Sequence, residues 1–248
     1  MDIWKYYDIT HKKHSNCNPI SKEKLDGLFS LLNLKPSSKV LDMACGKGEP
    51  FIRLAELFNI SGIGIDISPY FIKYCKDEKD KRAPNSNIEF LEMDGAKYKP
   101  DGNGIYDLSM CIGASWIYDG FKGTVEALKK MTKPGGLIIV GEPYWLKEPS
   151  CEHLKMRGIK KEEFNSHSNN IDVGEKEGLY CIYTLVSNRD DWDHYETLQW
   201  WTTMDYVTDN PNDPDNPELL KRVKEAKTEY LLYGRDTFGW AIYVFKRQ

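Results

Sequence analysis

Three acidic residues and one glycine loop stand where this chain could hold a small molecule. Asp42 lies in a short apolar run, Lys39-Val40-Leu41-Asp42-Met43, and Ala44, Gly46 and Gly48 follow it. Small residues at such a place let the backbone itself approach a ligand. Asp66 lies near the end of a second run, Ser61 to Ile67. It comes roughly 20 residues after Asp42, where an acid that accepts hydrogen bonds from two ribose hydroxyls is expected. Asp94 closes a third run, Ile88 to Met93, and leads into Gly95 and Ala96. Further on, Glu142, Tyr144 and Trp145 follow the run Leu137 to Val140, and Trp192, His194, Tyr195, Glu196 and Trp200 cluster together. Aromatic faces beside a carboxylate can hold an amine through cation–π and charge contacts. Glu142 or His194 would act as a base for a substrate that carries a proton. The spacings of three and four among Trp192, Tyr195 and Glu196 are also those by which any helix packs.

Two nucleotide readings of the loop are weak. A P-loop needs G-x-x-x-x-G-K-[ST], and Gly46-Lys47-Gly48 lacks the upstream glycine and the hydroxyl residue. A dinucleotide fingerprint needs G-x-G-x-x-G, and Phe51 stands where the third glycine should be. That glycine permits close helix–strand packing, which a phenyl ring is expected to obstruct.

The elements that must position these residues alternate. Ser21 to Leu34 predicts an amphipathic helix, with Leu25, Leu28, Phe29 and Leu32 on one face and Ser21 as its cap. Strands at Lys39–Met43, Ser61–Ile67, Ile88–Met93, Tyr106–Ile112 and Leu137–Val140 are separated by helices from Phe51 to Phe58, from Ser68-Pro69 to about Lys81, and from about Thr124 to Met131. Short apolar strands alternating with helices specify a parallel sheet covered on both faces, a doubly wound α/β fold that binds ligands beyond the carboxyl ends of its strands. After Glu142 the rhythm changes. Residues 146–178 predict one helix plus loops, Leu179–Val186 and Gly239–Phe245 two more strands, Trp192–Trp201 a helix, Asp209–Pro217 a surface loop, and Pro217 to about Tyr233 a charged helix. The whole chain reads as one domain. Residues 1–35 form an N-terminal cap, 36–142 the binding core, and 143–248 the part that would carry the acceptor-site elements.

Composition excludes several classes. The chain of 248 residues carries a net charge of −4, against a nucleic-acid partner. No apolar run approaches the ~18 residues of a membrane span, and the N-terminus lacks the pattern of a secretory signal. Six scattered cysteines with no C-x-x-C pair, and five histidines with no H-E-x-x-H or H-x-H pattern, argue for reduced thiols, no metal and a cytoplasmic protein.

The series Asp42-x-Ala44-x-Gly46-x-Gly48 resembles the D-x-G-x-G-x-G first motif of class I S-adenosylmethionine-dependent methyltransferases, with Ala44 in place of the first glycine. Asp66 and Asp94 at the next strand ends, and Lys133-Pro134-Gly135-Gly136 before the fifth strand, extend the likeness, which is nearest to small prokaryotic methyltransferases of the type-11/type-25 group. The resemblance implies a Rossmann-like, mostly parallel seven-stranded sheet whose last strand runs antiparallel in a hairpin with the sixth. It implies S-adenosylmethionine as cofactor, with Asp42, Ala44, Gly46 and Gly48 on its methionine side. Asp66 and Ile67 would take the ribose, Asp94, Gly95 and Ala96 the adenine, and the Cys111-Ile112 backbone would lie near the methionine part. With that cofactor the expected reaction is transfer to a small-molecule acceptor by in-line displacement in a largely aromatic pocket, for which Glu142, Tyr144, Trp192 and Tyr195, on segments overhanging the sheet's carboxyl edge, are the candidates. A nicotinamide-dependent oxidoreductase and a non-catalytic S-adenosylmethionine-binding protein are the alternatives. Trp4–Tyr7 and His14–Ile20 would form a lid over the cofactor or a docked terminus. The oligomeric state stays open.

Overall fold

In the computed structural model, which describes residues 1–248, strands β1 (Lys39–Met43), β2 (Ser61–Asp66), β3 (Asn87–Glu92), β4 (Tyr106–Ile112), β5 (Thr132–Trp145), β6 (Leu179–Val186) and β7 (Phe238–Arg247) form one sheet. Their order is β3-β2-β1-β4-β5-β7-β6. The first five pair in parallel, and β7 runs antiparallel between β5 and β6. β1 and β4 are buried along almost their whole length, which is why both are mostly apolar rather than alternating, with Asp42 and Ser109 the buried polar exceptions. From β1 the chain winds outward to β3 and then returns to β4 on the other side. The crevice at this reversal lies at the carboxyl ends of β1 and β4.

Helices α1 (Ile3–Thr10), α2 (Lys22–Ser30), α3 (Glu49–Phe58), α4 (Pro69–Arg82) and α5 (Phe121–Met131) belong to the first half of the fold. Ser21 caps α2 and Ser68 caps α4, each hydroxyl accepting a backbone N–H three residues on. Helix α2 stops at Ser30, short of the expected Leu34, because Leu31 and Leu32 donate to carbonyls three residues back and tighten the last turn. Leu32 is nevertheless buried.

Two apolar layers cover the sheet. One gathers Leu28, Phe51, Ile52 and Trp240, the other Leu41, Phe121, Ile138 and Tyr243. Phe51 does not hold α3 away from the sheet. Gly64 on β2 leaves the room its ring needs: a Cβ there would come within 2.8 Å of Phe90 and 3.1 Å of Phe51. The two rings meet edge to face at 5.7 Å.

Four expectations need correction. β6 and β7 are antiparallel neighbours but no hairpin, because the chain between them holds α8 (Arg189–Asp209), α9 (Asn216–Glu229), a π turn at Tyr230–Gly234 and the short α10 (Arg235–Thr237). Lys133-Pro134-Gly135-Gly136 is not a turn before β5 but a bulge inside it. Tyr106 pairs with Thr132 and Leu108 with Leu137, so four residues face Asp107 alone, and Lys133 Nζ holds its carboxylate at 2.7 Å. Residues 146–178 carry two helices, α6 (Cys151–Arg157) and α7 (His167–Lys176), each capped by a serine. The aromatic helix extends to Asp209, launched by a capping box between Asn188 and Asp191. The proline-rich loop is correspondingly short, and Lys5 of α1 binds its Asp213 and Asp215 at 2.9 and 2.7 Å. No helix is long and apolar enough to cross a membrane.

Candidate active site

The glycine loop between β1 and α3 turns three times through the left-handed region, at Ala44 (φ 54°), Gly46 (54°) and Gly48 (72°). Ala44 adopts a conformation that costs about 1–2 kcal/mol for an L-residue. Hydrogen bonds from the two following residues offset it: Cys45 N–H donates to Ile65 O at 2.8 Å and Gly46 N–H to Asp66 Oδ2 at 2.8 Å. Gly48 is the strictest position, since a Cβ would sit 2.8 Å from Cys75 Sγ and 3.0 Å from Phe90. Gly48→Ala is expected to cost about 2–4 kcal/mol, from the positive φ and the overpacking together. Denaturant unfolding would check this, and a loss under 0.5 kcal/mol by that ~1–3 kcal/mol overpacking scale would contradict it.

Three carboxylates stand on the cavity wall. Asp42 is buried, with Oδ2 lacking any donor, and burial followed by the Asp66 charge raises its proton affinity well above the usual carboxylate range. Asp66 takes N–H groups from Gly46 and Ser68 at 2.8 Å each. Burial raises its proton affinity and those bonds oppose the rise. Asp94 accepts from Ala96 N–H at 3.0 Å. Ile67, Gly95 and Ile112 also line the cavity; Ala96 and Cys111 do not. Ala96 spends its N–H on Asp94, and Cys111 is fully enclosed.

Over the loop lies the N-terminal segment. Lys47 is buried, and its Nζ donates to the carbonyls of His11 (3.2 Å), Lys12 (3.2 Å) and His14 (2.5 Å), with the Tyr74 ring at 4.1 Å. His11 Nε2 meets Tyr195 Oη at 2.9 Å, and His14 Nε2 meets Tyr195 O at 2.9 Å. Burial depresses both imidazoles, His11 to about 3 and His14 to about 4, so both are neutral. Asn18 Nδ2 donates to Ile112 O at 3.1 Å, and its side chain fills the place a Cβ on Gly113 would need. Residues Trp4, Tyr6, Tyr7, His11 and Ser15–Pro19 thereby become wall. The sequence reading named this segment but missed Lys47 as its anchor. A lysine inside a glycine loop, with no hydroxyl residue to make it a P-loop, is the one signal that could have pointed there.

The far wall is built by β5 and α8. Glu142 is buried at the carboxyl end of β5, where Ser115 Oγ donates to Oε1 at 2.7 Å. Burial pushes its carboxyl up to about 8, against the Ser115 bond. Helix α8 turns Trp192, Tyr195, Glu196 and Gln199 toward the cavity. Glu196 has no donor, and burial carries its carboxyl up to about 7. Arg157 Nη1 meets Glu229 at 2.8 Å, and His153 Nε2 the same carboxylate at 2.6 Å. His194 is exposed and lies off this cavity. Tyr144 does too: its ring packs on His167 at 5.0 Å and over Gly239.

Glycine loop, carboxylates, N-terminal segment and α8 face bound one cavity of about 1300 Å³. Pockets for a single small ligand typically span ~300–1,000 Å³, so there is room for two small molecules side by side. The buried, donorless Asp42 oxygen is suited to an ammonium group, and Asp66 retains lone pairs for hydroxyls.

Comparison with known proteins bears on this cavity. A family model described as "Methyltransferase domain" matches residues 40–136. The uncharacterized protein YjhP of Escherichia coli K12 is 30% identical over 245 residues, 98% of each chain. A SAM-dependent methyltransferase from Thiobacillus denitrificans, crystallised with S-adenosyl-L-homocysteine, is 30% identical at a TM-score of 0.90 over 100% of both chains. Its counterpart from Geobacter sulfurreducens, also with S-adenosyl-L-homocysteine, is 29% identical at 0.91 over 100% of this chain and 99% of that one.

Proposed function

The chain belongs to the class I S-adenosylmethionine-dependent methyltransferases, and from that premise we propose that it methylates a small molecule held beside the cofactor in the same cavity. The observation that carries this reading is continuity: the glycine loop and Asp66 share one cavity with Glu142 and the α8 face. Bound S-adenosylmethionine supplies an electrophilic methyl group on a sulfonium sulfur.

The residues of this chain divide the remaining work. The loop from Ala44 to Gly48 presents backbone to the methionine part, and Asp42 faces its ammonium end. Asp66, held by two backbone N–H groups, accepts from the ribose hydroxyls, with Ile67 beside it. Asp94 and Gly95 border the adenine. Trp192, Tyr195 and Trp240 keep the acceptor side dry and aromatic, which suits a transition state in which charge on sulfur is dispersing. Fixing an acceptor in line with the methyl supplies several kcal/mol through orientation alone. Glu142, buried and singly hydrogen-bonded, is placed to take a proton from the acceptor.

The test is methyl transfer from labelled S-adenosylmethionine into a panel of small amines, alcohols, thiols and activated carbons. Product with any of them supports the reading; cofactor binding with no transfer to any class speaks against it. Asp66→Ala is expected to weaken S-adenosylhomocysteine by about 1–3 kcal/mol, roughly 5- to 150-fold in Kd. An unchanged Kd in titration calorimetry would remove the ribose role from Asp66.

A further inference from the structure

We propose that the acceptor is a small amine that enters as its ammonium ion, lodged against the α8 face by the Glu196 carboxylate and the Trp192 ring and deprotonated by Glu142. This rests on the methyl-transfer reading above.

The evidence is an imbalance of charge beyond the cofactor end of the cavity. Apart from Glu162 and Glu163, exposed beside Lys160, three carboxylates stand there: Glu142, Glu196 and Glu229. Glu229 is matched, by Arg157 at 2.8 Å and His153 at 2.6 Å. Glu142 has only the neutral Ser115 hydroxyl, and the half-buried Glu196 accepts no hydrogen bond, the cation that acts on it, Arg157, being paired with Glu229. The cations are already committed or remote. Lys47 is bound to three carbonyls, Arg157 is paired, and Lys122 and Lys160 are exposed at the rim.

A buried carboxylate without a counter-charge is costly, and the cost falls when a cation arrives. An anionic ligand would add repulsion, and an alcohol would leave both groups unmatched. The helix geometry adds an aromatic face. Trp192 and Glu196 are four residues apart on α8 and both line the cavity, so one ligand cation can meet the carboxylate and the indole together.

The groups that face Glu142 are Ser115 on the turn after β4, Cys111 on β4 and Tyr243 on β7, none of them a cation. Glu196 faces Arg157 and Glu229, which are engaged with each other. An ammonium ion beside Glu142 draws its carboxyl toward the ionised form. The proton then passes from the ammonium nitrogen to that carboxylate, leaving a neutral amine. The amine lone pair forms the new N–C bond to the methyl carbon. The C–S bond breaks with its electron pair remaining on sulfur, giving a neutral thioether and a methylated ammonium ion. After the proton transfer Glu142 is a neutral acid and the positive charge resides on the sulfonium; methyl transfer returns it to the nitrogen, beside the Glu196 carboxylate.

The test uses the full chain loaded with S-adenosylhomocysteine and three ring compounds of matched size: benzylammonium, benzyl alcohol and benzoate. Titration calorimetry at neutral pH is expected to give benzylammonium a Kd at least about tenfold below the other two. Glu196→Gln should reduce that preference to within about threefold, with S-adenosylhomocysteine affinity retained as the check on folding. Equal or tighter binding of benzoate or benzyl alcohol, no preference among the three, or a preference untouched by Glu196→Gln overturns the proposal. Failure of S-adenosylhomocysteine to bind would show before any amine is added. It would defeat the underlying reading and this proposal with it.

Discussion

Glu142→Gln is expected to slow methyl transfer about 10²–10⁴-fold, the usual worth of a positioned proton acceptor. The amide keeps the shape and the Ser115 contact but cannot take a proton. S-adenosylhomocysteine affinity should stay nearly constant, which separates lost chemistry from lost folding. Because the carboxyl is held up near 8 in the unliganded chain, wild-type kcat/KM should rise through about pH 8, and the variant should lose that limb. Stability carries a second signature. The proton affinity of Glu142 is raised on folding, from 4.5 to about 8. Its neutral form therefore contributes stability that is fully present below about pH 4.5 and is lost as pH rises through 8. Glu196, raised to about 7, acts in the same direction. Denaturant midpoints between these limits should fall with pH in the wild type and fall less in Glu142→Gln. An unchanged turnover number in Glu142→Gln would remove it from the proton path.

Lys47→Met is expected to cost about 2–3 kcal/mol of stability, through three charge-assisted hydrogen bonds lost and three carbonyls left without their donor. For a chain of this size that corresponds to roughly 5–10 °C in Tm. The position also matches the end of α1, where a cation favours the helix dipole. The segment that Lys47 pins provides Cys17, Asn18 and Pro19 to the cavity wall. S-adenosylhomocysteine should therefore weaken in this variant by about tenfold, on the order of 1.4 kcal/mol. A Tm loss with unchanged cofactor Kd would make the segment a docked terminus; a loss of both makes it part of the binding site.

The parallel core was legible because its central strands, β1 and β4, are buried on both faces, and the helices between the strands bury an apolar stripe against them. The strand Lys39–Met43 and the cap at Ser68 could be read residue by residue. The second half was less legible for a physical reason. Strands β6 and β7 pair across some fifty intervening residues, whose helices the sequence showed but whose extent it did not, and the family resemblance had implied a hairpin there. The bulge at Lys133–Gly136 was hidden similarly: K-P-G-G has turn composition, and only its pairing opposite Asp107 shows that the strand begins before it. Phe51 was misjudged because its partner vacancy, Gly64, sits on the neighbouring strand. At the site, strand-end acids were visible because sequence order places them. Tyr144 against Glu142 was not: residues two apart on a strand share a face, and only their place along β5 decides that Glu142 meets the cavity while Tyr144 packs on His167. Lys47, Asn18 and the His11–Tyr195 contact join residues 33 to 184 apart, which no local pattern records.

The most direct measurement is thermal unfolding of the full chain with S-adenosylhomocysteine, S-adenosylmethionine, NAD and NADP in parallel. A ligand present at 100 times its Kd adds ~2.7 kcal/mol, roughly 5–10 °C for this length. A shift of that size with the two adenosyl compounds alone is the predicted result. No shift with either of them, or a shift confined to NAD or NADP, would contradict the cofactor site at the ends of β1 and β4 and every role built upon it.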